Sequence, residues 1–188
     1  MASLLAFTFF ISTLFSTSLY SIDGASIKNI TKTKPTKRTE KLSHLHFFFH
    51  DIVGGENATA VRIISGPTNA STPSYFGSTW MMDDVLTEGK EPTSKIVGRA
   101  QGFYSVATKY EFALLMVVNF AFVDGKYNGS SLSILGRNPV LNDVREMPIV
   151  GGSGLFRFAR GYALAHTVWF DTHTGDATVE YNVYVLHY

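Results

Sequence analysis

Six polar residues set among aromatic and apolar segments are the candidates for chemistry in this chain: Asp51, Tyr104, Asn138, Arg145, Arg160 and Thr167. Asp51 is the most informative. It closes the run Leu42-Ser43-His44-Leu45-His46-Phe47-Phe48-Phe49-His50-Asp51-Ile52. On a strand, successive side chains point to opposite faces, so Leu45, Phe47, Phe49 and Asp51 share one face. If that face is the inside of a closed sheet, Asp51 stands at the end of an aromatic wall. Apolar surroundings disfavour the charged carboxylate and raise its pKa, which suits a group that exchanges a proton with a bound phenol. The alternative is local: an Asp at a strand end can simply start the turn before Gly54-Gly55. Buried Arg and Asp in a barrel either pair with one another or face a ligand, and spacing alone does not choose between these.

Other chemistries fit poorly. His44, His46 and His50 share the opposite face from Asp51. A His-x-His pair can seat a metal when an acidic ligand follows on the same face. Here the acid points away, and His50 lies about 13 Å along the strand from His46. A polar outer face, suited to a subunit contact, is expected instead, with no metal. Gly151-Gly152-Ser153-Gly154 lacks the following Lys-Ser/Thr and the helix of a phosphate loop, and is expected to form a hairpin or bulge. The chain has no cysteine, which excludes disulfides and thiolate chemistry. No Gly-x-Ser-x-Gly elbow sits in a strand–helix context. No nucleotide, flavin, haem or other cofactor is expected.

The elements that must position these residues are strands. Residues 1–25 of the 188 hold an apolar run, Leu4 to Phe15, of signal-peptide length and too short for a membrane span. Residues 26–40 form a basic leader with Lys28, Lys32, Lys34, Lys37 and Arg38, while 41–188 carry 11 Lys plus Arg against 13 Asp plus Glu. Nucleic-acid binding is not indicated, although the leader could hold the chain to a polyanion such as wall pectin. Four glycosylation sequons, at Asn29, Asn57, Asn69 and Asn128, agree with secretion. Strands are expected at about 41–52, 59–64, 76–86, 95–107, 112–123, 130–135, 144–150, 156–170 and 178–188, separated by Gly, Pro, Asn and Asp breaks. The 112–123 run is expected to be buried on both faces. Gly98, Ala100, Gly102 and Tyr104 share one face of the fourth strand, leaving room for a bulky neighbour or a ligand. Without an amphipathic helix, eight or nine such strands predict an all-β barrel or sandwich, with closure favoured because it removes exposed edges.

Four blocks then stand out: Phe49-His50-Asp51-Ile52, Val97-Gly98-Arg99-Ala100-Gln101-Gly102-Phe103-Tyr104, Val144-Arg145-Glu146-Met147-Pro148-Ile149-Val150-Gly151-Gly152-Ser153-Gly154 and Phe158-Ala159-Arg160-Gly161-Tyr162-Ala163. From about residue 41 to the C-terminus, in this order, they resemble the signature blocks of plant dirigent proteins. The resemblance implies an eight-stranded antiparallel β-barrel of the allene oxide cyclase-like kind, assembled as a homo-oligomer, a trimer or dimer. It implies secretion to the apoplast or cell wall. It also implies a small phenolic substrate, a phenoxyl radical or quinone methide, whose reacting faces the protein fixes while a separate laccase or peroxidase performs the oxidation. Asp51, Tyr104 and Arg145 fall on the family's functional positions, and Phe49, Asn138, Arg160 and Thr167 are expected to line the substrate. In Gly136-Arg137-Asn138-Pro139, Asn138 replaces the acid of lignan-forming members, whose cysteine pair is also absent. The chain looks closer to the second subgroup, some of whose members resemble pterocarpan synthases, hydro-lyases that dehydrate an isoflavanol and close a ring. A non-catalytic alternative is a phenolic carrier or wall-associated defence module.

Overall fold

The computed structural model describes residues 39–67 and 75–188. The predicted signal peptide, all but the last two residues of the leader, and the sequons at Asn29 and Asn69 lie outside the described residues.

Nine antiparallel strands follow one another: β1 (Lys41–Asp51), β2 (Ala60–Ile64), β3 (Thr79–Thr87), β4 (Ile96–Val106), β5 (Leu114–Phe122), β6 (Ser131–Asn138), β7 (Val144–Ser153), β8 (Arg160–Phe170) and β9 (Ala177–His187). Eight of them close a ring. The order β1-β9-β8-β7-β6-β5-β4-β3 returns to β1 through Phe48↔Thr87, Phe49↔Leu86 and His50↔Val85. Closure thus satisfies the expected eight-stranded barrel, and β2 is the ninth strand. It pairs with β3 alone, from Ala60↔Met82 to Ile64↔Thr79, continuing the line that β1 leaves at Asp51. Among the described residues the only helical pieces are two single 3-10 turns, Gly125–Tyr127 and Gly154–Phe156.

The period-2 pattern dictates which residues fill the ring. Phe47, Phe120, Phe156, Leu132, Ile134, Met147, Val183 and Val185 are fully buried inside it. Phe47 meets Phe120 edge to face at 5.0 Å and lies parallel to Tyr181 at 5.8 Å. The aromatic wall of β1 is therefore a packed core across the middle of the barrel, and truncating a ring such as Phe47 to Ala costs about 3–5 kcal/mol. One end of the barrel is plugged. Tyr127 donates to Ser43 Oγ (2.9 Å), Ser43 pairs with His187 Nε2 (2.9 Å), and His187 Nδ1 reaches Leu155 O (3.1 Å), among the rings of Phe122 and Phe156. The opposite end, where β1 stops at Asp51, carries the polar lining.

Three expectations change. The small residues of β4 do not hollow out a cavity. A Cβ at Gly102, where φ is +156°, would sit 2.0 Å from Val117 O, and one at Gly98 would sit 2.6 Å from Ala121 O. The glycines let the β5 backbone press against β4, which tightens the coil of the sheet. Strand β5 is buried on one face only: Met116, Val118, Phe120 and Phe122 point inward, whereas Leu115 is exposed and Val117 half-buried. Its outward Val117 belongs to an apolar belt, Val61-Met81-Phe103-Val117-Leu135, directly paired across five strands. Finally, His50 is not on an open face. It is buried, with Nε2 2.7 Å from Thr87 Oγ1 and Nδ1 3.3 Å from Thr178 Oγ1. Thr87 gives its single hydroxyl proton to Gly89 O, so His50 Nε2 is the donor in that pair. Burial lowers the His50 pKa. The predicted bulge near Gly151 is present as a register shift: Ser133 pairs with Gly151 but Ile134 with Ile149.

Candidate functional site

At the end opposite the plug the barrel draws Asp51 and Tyr104 together from strands 53 residues apart. Asp51 is the last residue of β1 and half-buried, opposite Ala177. The chain beyond it is tied down. Asp176 Oδ1 accepts from the Val53 and Gly54 amides (2.8 and 3.3 Å), and Ile52 O accepts from the Thr59 and Ala60 amides. The Tyr104 hydroxyl donates to Asp51 Oδ1 at 3.4 Å, a long contact. Burial raises the Asp51 pKa to about 6; the Tyr104 bond opposes this and the nearby Asp176 charge adds to it. Tyr104 is held well above the usual phenol range, first by burial and then by the Asp51 charge, so it keeps its proton.

Beside this pair stands a residue that strand-parity reasoning could have picked out and did not: Asp84. It shares the inward face of β3 with Met82 and Leu86 and is completely buried. Thr59 accepts from the Ile52 amide and donates to Asp84 Oδ1, linking the end of β1 to β3. The other oxygen, Asp84 Oδ2, is the one buried side-chain polar atom without a hydrogen-bond partner among the described residues. Burial, then the Asp51 charge, push the Asp84 pKa up to about 8. Asp51 ionises first, and Asp84 then titrates against that charge. Its sequence neighbour Asp83 shows the contrast. It points outward and accepts from Arg99 Nε at 2.6 Å, which holds its pKa low. One residue along the strand turns a solvated ion-pair carboxylate into a neutral acid.

Across the same end, Arg145 on β7 is buried and donates from Nε to Asn138 Oδ1 (3.1 Å). Burial lowers its pKa, with the Tyr181 and Asp143 charges opposing. Tyr181, fully enclosed beneath them, has its pKa raised mainly by burial. Phe49 is core, edge to face with Tyr181 at 6.0 Å. Thr167 is half-buried on the inward row of β8, with Val179 of β9 standing between it and Phe49. Trp80, half-buried, stacks on Tyr104 at 5.6 Å and forms the wall toward β2.

Arg160 does not join this group. It faces outward at the start of β8, across from Leu186, and pairs with Glu40 at 2.6 Å. Its parity is opposite to that of Ala163 and Ala165, which point in. The outer histidines are engaged in cross-strand pairs, His44 with Asn182 (2.8 Å) and His46 with Glu180 (2.7 Å). Among the described residues no three His, Asp or Glu side chains gather as metal ligands would. Asn57 and Asn128, the two described sequon residues, are exposed.

What the arrangement can do is acid–base chemistry. A neutral, enclosed carboxyl, a carboxyl titrating near neutrality, a protonated phenol and a guanidinium gather at one end of a barrel with a packed floor.

Comparison with known proteins bears on that chemistry. Residues 42–186 match the Dirigent-like protein family. The chain is 51% identical over 148 residues to Dirigent protein 23 of Arabidopsis thaliana, covering 79% of each. It is 46% identical over 182 residues to Pterocarpan synthase 1 of Glycine max, covering 96% of this chain and 98% of that one. The solved structure of the pterocarpan synthase dirigent protein PsPTS1 is similar, with 51% identity and a TM-score of 0.74, over 79% of this chain and 96% of that one.

Proposed function

The chain belongs to the dirigent family, and from that premise we propose that it removes water from an isoflavanol-type phenol and closes the resulting quinone methide stereoselectively. The observation that carries this reading is the carboxyl pair: Asp84, kept neutral, beside Asp51, which ionises near pH 6. The similarity to pterocarpan synthases supports it.

The reaction balances without an oxidant. The carbon bearing the leaving hydroxyl lies para to a ring phenol. Asp84 gives its proton to that hydroxyl, the C–O bond breaks, and water departs. The ring phenol gives its proton to the ionised Asp51, leaving a neutral quinone methide. A second phenol on the substrate then adds to the same carbon and gives its proton to the Asp84 carboxylate, while the quinone methide oxygen takes back the proton from Asp51 and the ring becomes aromatic again, so both carboxyls return to their starting states. Net, one isoflavanol becomes one pterocarpan and one water. Arg145, held by Asn138, faces the oxygen that gathers electron density during addition, and Tyr104 steadies Asp51. Positioned acid–base groups of this kind contribute about 10²–10⁴-fold each. Presenting one face a hundred times more often than the other takes about 2.7 kcal/mol.

A second reading keeps the same site but takes a quinone methide or phenoxyl radical made by a separate laccase or peroxidase, as in lignan-type coupling. Identity to relatives named only as dirigent proteins supports it. Incubating the protein with isoflavanols and with monolignols, with and without laccase, separates the two by chiral chromatography. Turnover of an isoflavanol without oxidant supports the dehydratase. Enantiomeric excess only when laccase is present supports radical control. Racemic products throughout, with ligand binding intact, would leave a phenolic carrier.

We further propose that the protein is extracellular and homo-oligomeric. The apolar leader and the exposed Asn57 and Asn128 support secretion. The belt Val61-Met81-Phe103-Val117-Leu135, with Val61, Met81 and Leu135 each more than 40% exposed, is the face offered to a second copy.

A further inference from the structure

We propose that Arg62 sets substrate specificity at the mouth, holding a free phenolic or carboxylate oxygen on the outer end of the substrate and discriminating against the corresponding methyl ether. The inference rests on the quinone methide reading above, because it concerns which phenols reach that site and in which orientation.

The register places Arg62 there. Arg62 pairs with Trp80, and Trp80 with Tyr104, so all three project to the inner side in one row running from the extra strand β2 onto the barrel wall. The guanidinium lies 5.1 Å from the centroid of the Trp80 ring, and Tyr104 stacks on that ring at 5.6 Å. Tyr104 in turn reaches Asp51. An exposed cation on an inward-facing row is unusual, since that parity otherwise carries apolar packing.

Among the described residues the donors of Arg62 are unspent. Arg99, Arg137 and Arg160 each pair with a carboxylate, at 2.6, 2.5 and 2.6 Å. Among the described residues Arg62 has no such acceptor, and its guanidinium lies against the indole of Trp80. A guanidinium laid over an aromatic ring keeps its N–H groups in the ring-parallel plane, aimed outward from its edge, and is already ordered before a ligand arrives. The lining therefore has a direction, with a fixed positive group at the entrance and the carboxyls of Asp51 and Asp84 further in. A bound phenol is oriented with its leaving hydroxyl toward the carboxyls and an accepting, ionisable oxygen toward Arg62. A methyl ether can still accept a hydrogen bond but cannot carry the charge that the guanidinium favours.

The test uses Trp80 as its own reporter. Trp80 and Trp169 are the chain's two tryptophans, so the Trp169→Phe protein isolates the Trp80 signal. In that background, fluorescence titrations compare three probes on one ring framework: the free phenol, its methyl ether and a carboxylate analogue. The wild-type position binds the phenol or the carboxylate at least about tenfold more tightly than the ether, the size of one charge-assisted hydrogen bond at a half-open site. Arg62→Gln removes that preference, Arg62→Lys restores part of it, and salt weakens only the preferred probe. Whichever of the two oxygen types gains the larger preference identifies the natural substituent. Equal losses for ether and phenol in Arg62→Gln would make Arg62 a merely structural cap on Trp80 and overturn the proposal, as would no loss at all. Binding is read without turnover, so a failure of the dehydration reading, no conversion of any isoflavanol, is recognised separately.

Discussion

Replacing Asp84 with Asn should make the protein more stable at neutral pH and much less active. Asp84 is completely buried, and its pKa is raised from 3.8 to about 8. A group whose folded pKa is raised contributes stability that is present below its unfolded pKa and lost as pH rises through the folded value. At pH 7 the unfolded chain's carboxyl is ionised while the folded one is neutral, and at 1.36 kcal/mol per pH unit above 3.8 this costs the fold about 4 kcal/mol. Asn carries no such cost. It keeps an oxygen for the Thr59 hydroxyl but puts an amide where Oδ2 has no partner, which costs about 1–3 kcal/mol. The net gain at pH 7 is about 2 kcal/mol, or roughly 4–8 °C for a domain of this size. Near pH 4 the gain vanishes and the unpaired amide leaves the variant less stable. Thermal unfolding of both proteins from pH 4 to pH 8, followed by circular dichroism, measures the crossing. Turnover in the same samples should fall by about 10²–10⁴ because the transferable proton is gone. A melting temperature for Asp84→Asn that lies below wild type at every pH, with no pH-dependent gap, would refute the neutral-acid assignment.

The remaining predictions are shorter. The rate of dehydration against pH should be bell-shaped, with apparent limits near 6 and 8, because Asp51 must be ionised and Asp84 protonated; Asp51→Asn should abolish the acidic limb along with about 10²–10⁴-fold of rate. Gly102→Ala should cost more than about 3 kcal/mol or prevent folding, since its Cβ would meet Val117 O at 2.0 Å; soluble yield and thermal unfolding measure this. Val117→Glu, in the middle of the outer belt, should shift the protein toward monomer in analytical ultracentrifugation while leaving its circular dichroism unchanged.

Strand parity carried much of this site, and neglecting it produced the errors. Counting faces from Phe47 puts Asp51 inside, and counting from Met82 and Leu86 puts Asp84 inside with equal force. Asp84 escaped notice because Asp83-Asp84 also looks like the polar end of a strand. The same count excludes Arg160, whose inward neighbours are Ala163 and Ala165. Other features were beyond the sequence. Whether Gly98 and Gly102 open a void or admit a backbone depends on how closely β5 approaches, a property of the closed ring. His50 has outward parity and is nevertheless buried, through hydrogen bonds to Thr87 and Thr178 on the strands at either side of β1. Arg62 gains its meaning only because β2 pairs with β3 where β1 has already ended.

The central claim is that Asp51 and Asp84 drive loss of water from a phenolic guest without any oxidant. An isoflavanol labelled with heavy oxygen at the leaving hydroxyl, mixed with purified protein in the absence of laccase or peroxidase, tests it by mass spectrometry and chiral chromatography. The account predicts release of the label to water and one dominant pterocarpan enantiomer, both lost in Asp84→Asn. Retention of the label, or a racemic product formed no faster than in buffer, would contradict it.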